Sequence, residues 1–177
     1  HATGLTIDWI GRRLFFSTIE ESSSTIWTQD IDMPEAPLQM LIQLEGSKIQ
    51  MNTLRVNPFT SELYWLEKRN SHRRLQSCKL SAYAEKCDSQ QQLFVSKFRS
   101  KCNCSITAEI GSVLALDFSI LKEPKLVFFD VLASHFVASD SSGCRCQRLA
   151  SLPADHEPIN LAVDDGWLFW QSSSHQS

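Results

Sequence analysis

The chain has 177 residues, a formal charge of −3 and hydrophobic residues at 42% of its positions, enough to build the core of one good-sized domain without a partner. The mild acidity, with a sequence pI ≈ 5.9, removes the cationic field that phosphate backbones select, so no nucleic-acid partner is expected. No apolar run approaches the roughly 18 residues of a spanning helix, so no membrane contact is expected of this segment, and "HATGLTIDWIG" lacks the n- and h-regions of a signal peptide, which places any signal or anchor outside the chain.

In chain order, "GLTIDWIGRRLFFST" (4–18) reads as a strand, a turn and a second, aromatic strand. A third strand follows in "TIWTQDI" (25–31), and "LQMLIQL" (38–44) is a weaker fourth. The same order returns in "TLRVNPFTSELYWLE" (53–67), "RLQSCKL" (74–80) and "QLFVSKF" (92–98). It returns again in "VLALDFSILKEPKLVFFD" (113–130), followed by "RCQRLAS" (145–151), and begins once more in "NLAVDDGWLFWQ" (160–171). Leu5, Leu54, Leu114 and Leu161 then stand in register at separations of 49, 60 and 47 residues, close to the ~40–50 residues of a propeller blade. The approximate blades are 1–49, 50–110, 111–157 and 158–177.

Each unit carries an acid or amide after its first strand: Asp8, Asn57, Asp117 and Asp164. Short Asx side chains hydrogen-bond the backbone two residues on and start a turn. Gly11, Pro58 and Gly166 continue the turn chemistry. Aromatic pairs follow at Phe15-Phe16, Tyr64-Trp65, Phe128-Phe129 and Phe169-Trp170. The runs "LFF", "LYW", "LVFF" and "LFW" have no polar residue between their apolar ones, so both faces of these strands need cover. Sheets stacked face to face by repetition meet that need and shield their edges. A plain sandwich is the alternative. The segment "DVLASHFVASDSSGCRCQ" (130–147) reads as an insertion over a rim.

Six cysteines, Cys78, Cys87, Cys102, Cys104, Cys144 and Cys146, fall in the second and third units. An even, clustered set points to disulfides and an oxidising compartment. A metal site from "CNC" and "CRC" is the competing account, but structural zinc favours longer gaps between paired ligands. Pairing Cys78 with Cys87 would staple a short loop, leaving the two CxC pairs to bridge each other in an order the sequence does not fix. Asn103, in "NCS", is a glycosylation acceptor for a secreted chain.

No catalytic constellation emerges. There is no GxSxG, HExxH or glycine-rich phosphate loop, and no catalytic, cofactor-binding or metal residue is assigned. His1, His72, His135, His156 and His175 share no ligand spacing and read as exposed loop residues. Asp8, Asp117 and Asp164 suggest a carboxylate pair for glycoside cleavage, but equivalent places in successive units favour turn formation. One connection, "EKRNSHRR" (67–74), groups Lys68, Arg69, Arg73 and Arg74, with Lys97, Arg99 and Lys101 further on. It is either a solvated loop or a contact patch for an acidic protein surface or a sulphated glycan.

The repeated cores resemble the YWTD, or class B, repeats of the low-density-lipoprotein receptor family. Tyr64-Trp65-Leu66-Glu67 stands where the name motif would be. Elsewhere it becomes Phe15-Phe16-Ser17-Thr18, Phe128-Phe129-Asp130-Val131 and Phe169-Trp170-Gln171-Ser172, so the acidic fourth position survives only as Glu67. In the family that acid helps tie blades together. Degenerate blades with cysteine-bearing insertions are similar to the propellers of Sevenless and Ros receptor tyrosine kinase ectodomains. The resemblance implies an all-β fold, about three and a half blades of a six-bladed ring, the remaining blades coming from sequence beyond the chain. It further implies a non-catalytic, extracellular segment of a single-pass cell-surface receptor that binds a protein ligand in signalling, any kinase activity lying elsewhere in the parent. Endocytic lipoprotein-receptor and secreted basement-membrane propellers are the alternative, and a propeller hydrolase a third.

Overall fold

The computed structural model describes residues 1–46, 49–70, 72–81, 86–93, 110–119, 123–143, 145–153 and 156–174. Among them there is no helix. The chain forms two compact units, His1–Gln92 and Leu93–Ser177.

The first unit contains two four-stranded antiparallel sheets. One is built in sequence order from β1 (Ala2–Asp8), β2 (Arg13–Ile19), β3 (Ser23–Asp30) and β4 (Gln39–Glu45). The other follows the same order with β5 (Ile49–Asn57), β6 (Glu62–Arg69), β7 (His72–Leu80) and β8 (Cys87–Gln92). The inner strand β5 lies against β1, β2 and β3. Between the sheets, Phe15, Ile26 and Ile42 meet Met51, Leu54, Val56, Leu63 and Trp65 in one buried cluster. Gly4 allows this approach: a Cβ there would stand 2.9 Å from Ser17 Oγ and 3.1 Å from the Leu54 amide nitrogen. Two hydroxyls clasp the facing strand, Thr3 Oγ1 donating to Met51 O at 2.9 Å and Ser24 Oγ accepting from Met51 N at 2.9 Å.

The second unit has a four-stranded sheet of β9 (Ile110–Asp117), β10 (Lys125–Asp130), β11 (His135–Ser139) and β12 (Cys146–Ser151), paired in that order. It also has a hairpin of β13 (His156–Asp164) and β14 (Trp167–Ser174). Here β13 lies against β9. Val113, Ala115, Val127, Phe129, Phe136 and Ala138 pack with Leu161, and Val163 and Leu168 join the cluster. Phe136 sits 5.1 Å from Phe129 and 5.5 Å from Trp170 between ring centroids. Ser112 Oγ donates to Pro158 O at 3.2 Å.

Each sheet's first-strand pairing contains a register shift: at Ala2/Gly4 in β1, Asn52/Arg55 in β5, opposite Phe128/Asp130 in β9, and at Pro158/Asn160 in β13. Thr53, in the β5 bulge, has φ 53°. Such bulges increase local twist and re-aim the strand, so the repetition extends to backbone detail that no sequence motif announced.

Several expectations need correction. Residues 145–151 supply the fourth strand of their sheet, not the third. The third is β11, inside the segment read as a rim insertion, and all five of its residues are buried. The fourth strand of the second sheet is β8, which ends at Gln92, so it precedes most of "QLFVSKF"; residues 94–98 lie outside the described residues. Cover on both faces holds for "LYW" and "LVFF" but not for "LFW", where Phe169 is 56% and Trp170 43% exposed.

Candidate functional site

The hairpin turns explain what the strand-end acids do. Asp8 Oδ1 accepts from the amides of Ile10 at 3.0 Å and Gly11 at 2.7 Å. Asn57 Oδ1 does the same for Phe59 at 3.1 Å and Thr60 at 3.4 Å. Asp117 Oδ1 takes Ser119 N at 2.9 Å, and Asp130 Oδ1 takes Ala133 N at 3.2 Å. Arg12, Ser61 and Ser134 close three of these turns with φ near 50°. These side chains are occupied as backbone acceptors, the turn-forming role, and are not arranged as an acid and a base.

Asp164 departs from the pattern. It is exposed and pairs with Trp167 across a two-residue turn of Asp165 (φ 42°) and Gly166 (φ 80°). Two successive left-handed residues make a type I′ hairpin, whose twist matches the flanking strands. The turn is therefore made by the two residues after Asp164.

Among the histidines, His135 is a correction: it begins β11, is buried, and its Nδ1 lies 3.0 Å from Ala133 O. His72 and His156 also begin strands, and His175 lies outside the described residues. Among the described residues no group of three or more histidine, cysteine or acidic side chains could hold a metal.

Cys78 and Cys87 are joined, linking β7 to β8. Cys146 is also in a disulfide. Cys102, Asn103, Cys104, Cys144, Lys97, Arg99 and Lys101 lie outside the described residues.

The cationic connection is the β6–β7 hairpin. Lys68 pairs with Arg73, Glu67 with Arg74 and Arg69 with His72, and directly opposed residues share a face. The four cations therefore divide between two faces, Lys68 with Arg73 on one and Arg69 with Arg74 on the other. Glu67, at 1% exposure, accepts from Gln76 Nε2 at 3.1 Å and from Arg69 Nε. The one acid at the fourth motif position thus braces β6 to β7 within its own sheet and orients Arg69, which stays exposed.

The opposite end of β6, about 23 Å away at ~3.3 Å per residue, has a different chemistry. There Trp9 and Phe59, on the β1–β2 and β5–β6 turns, touch edge to face with centroids 6.2 Å apart. Arg12 Nη2 lies 2.7 Å from Asp32 Oδ1 and Arg13 Nη2 3.7 Å from Asp30 Oδ2. The hydrogen bond from Arg12 holds the Asp32 carboxyl below its usual range and raises Arg12 in turn. On β5, burial lowers the Arg55 guanidinium, whose Nη1 donates to Leu54 O at 2.7 Å. This aromatic end escaped the sequence reading. Its signal was a ring one or two places after the turn residue, as in Asp8-Trp9 and Asn57-Pro58-Phe59.

No family model matches the chain. In sequence it is 27% identical over 175 residues to the proto-oncogene tyrosine-protein kinase ROS of Gallus gallus, covering 96% of this chain and 8% of the relative. It is 30% identical over 180 residues to the same-named protein of Homo sapiens, covering 95% of this chain and 7% of the relative. The chain therefore spans less than a tenth of the length of these curated relatives. In fold it is similar to a chain of a nidogen/laminin complex, at TM-score 0.66 and 14% identity, covering 97% of this chain and 55% of that one. A luciferin-regenerating enzyme also matches, at TM-score 0.55 and 12% identity, over 92% of this chain and 48% of the other. At these identities the structural likenesses establish fold alone. The all-β architecture and the repeated cores agree with them: the chain has a β-propeller fold, is consistent with YWTD-type blades, and is similar in sequence to the ROS tyrosine-protein kinases.

Proposed function

We propose that the chain is a non-catalytic, extracellular propeller segment of a cell-surface receptor ectodomain of the Sevenless and Ros type, and that it binds a protein ligand. The observation that carries this is similarity to the ROS kinases over at least 95% of a chain whose regular structure, among the described residues, is all strand. Strand-end carboxylates spent on turn amides support a non-catalytic role. The Cys78–Cys87 bond supports an oxidising compartment. Kinase activity and signalling then belong to the parent protein, and this segment acts by docking: stiff sheets hold the connecting turns in place, and ligand contact rearranges ectodomains.

Further blades of the same propeller are the first partner. Leu5 and Ile7 on β1 are 60% and 48% exposed, and Trp167 on β14 is 71% exposed. Apolar faces of this kind are the surfaces a neighbouring blade would cover. The ligand is assigned to the basic β6–β7 hairpin. With the chain displayed on cells, cross-linked capture of an extracellular protein should fall several-fold in Arg69→Ser/Arg73→Ser/Arg74→Ser and on raising the salt. Capture indifferent to both changes would remove this assignment. Asn103 should also carry an endoglycosidase-sensitive glycan after secretion, and an unshifted band would argue against its use.

A further inference from the structure

Counted back from the residue at the head of each hairpin turn, β5 departs from the equivalent strands at two places. Two residues before Asp8, Asp117 and Asp164 stand Thr6, Ala115 and Ala162, but two before Asn57 stands Arg55. Five before Asp8 and Asp117 stand Thr3 and Ser112, whose hydroxyls donate to Met51 O and Pro158 O. Five before Asn57 stands Asn52, whose Oδ1 is buried without a hydrogen-bond partner. Arg55 is partly buried, and of its five N–H donors one is used, on Leu54 O. Among the described residues no carboxylate forms an ion pair with it, and Glu62, on the same face, takes the Tyr64 hydroxyl. Asn52 pairs with Leu66 and Arg55 with Tyr64, so both lie on one face of the sheet, roughly 7 Å apart along the strand. Between them Thr53 holds φ 53°, a left-handed conformation that is strained in a β-branched residue and that gathers at ligand sites.

We propose that Arg55 and Asn52 form a binding site for hydrogen phosphate at the β5 bulge. A guanidinium drawn out of water without a counter-charge is costly, and burial already weakens its hold on its proton. An oxyanion on two parallel N–H bonds supplies that charge in the geometry arginine fits best. Asn52 then selects among oxyanions. Its Oδ1 can only accept, so the anion must bring a hydrogen. Hydrogen phosphate carries one P–OH beside its charged oxygens. Sulfate has none, and a phosphate monoester has lost its own above a second pKa of about 6. Threonine and alanine at the Arg55 place of the other strands show that blade building needs no cation there, and such a departure from the repeat marks a functional position. The site is separate from the basic hairpin and goes beyond the ligand reading given to it.

The test titrates the intact chain calorimetrically at about pH 8, where hydrogen phosphate keeps one proton and glycerol phosphate keeps none. Hydrogen phosphate should bind saturably, on the order of tenfold tighter than sulfate or glycerol phosphate at matched ionic strength. Arg55→Met should abolish that binding, and Arg55→Lys, a point charge without the fork, should weaken it several-fold. Asn52→Leu, which keeps the cation, should bind hydrogen phosphate and sulfate alike and serves if the Arg55 variants fold poorly. Arg69→Ser/Arg73→Ser/Arg74→Ser should bind hydrogen phosphate as the wild type does, so failure here is separable from failure of the basic hairpin. No saturable binding, equal affinity for sulfate in the wild type, or binding that survives Arg55→Met would overturn the proposal. So would binding lost in the triple variant, which would assign the anion to the hairpin.

Discussion

The β5–β8 sheet and the β13–β14 hairpin carry the same aromatic signature and treat it differently. Tyr64 and Trp65 are both at 0% exposure, whereas Phe169 and Trp170 are at 56% and 43%. In each case one ring faces the sheet before it: Trp65 packs on Phe15 and Ile26, and Trp170 on Phe136. The difference lies mainly on the other face, where Tyr64 is enclosed and Phe169 is not. The motif therefore specifies a strand with two apolar faces, while burial depends on which neighbours arrive. Stability should follow the neighbours, not the motif.

The strongest way to break this comparison is to truncate matched rings. Trp65→Ala should lower unfolding free energy by about 3–5 kcal/mol, and Phe169→Ala by under about 1 kcal/mol, read by urea unfolding. Equal losses would show that Phe169 is enclosed in solution. Next in size, Cys78→Ser with Cys87→Ser should cost about 2–3 kcal/mol, the value for closing a short loop. The sequence separation is 9, and amide exchange should accelerate in β8 before β6. A smaller contrast separates the turns. Asn57→Ala removes a fully buried side chain and the acceptor of two part-buried turn amides, and should cost about 1–2 kcal/mol. Asp164→Ala, beside a turn made by Asp165-Gly166, should stay within about 0.5 kcal/mol; similar thermal shifts in both would contradict the distinct turn types.

Legibility followed locality. The Asx turns and aromatic pairs were readable because a side chain bonding amides two or three residues on leaves its mark within one short stretch. Strand β8, "CDSQQQ", was not: it has no apolar alternation, and its place comes from the β7 ladder and the disulfide. Strand β11, "HFVAS", was hidden by brevity inside a serine-rich segment. The Trp9–Phe59 contact joins residues 50 apart in sequence, so only the stacking of sheets reveals it. The basic hairpin was visible as composition, but its division between two faces follows from the Lys68–Arg73 register.

Met51 has a consequence for how chains avoid one another. Its amide and carbonyl belong to β5, the edge strand of its sheet, and are already taken by Ser24 and Thr3. A visiting strand seeking to extend the β5–β8 sheet would find those two groups occupied, as negative selection against edge-to-edge aggregation requires. Two small hydroxyls thus act as a stopper, keeping backbone pairing in this unit a private matter of each sheet.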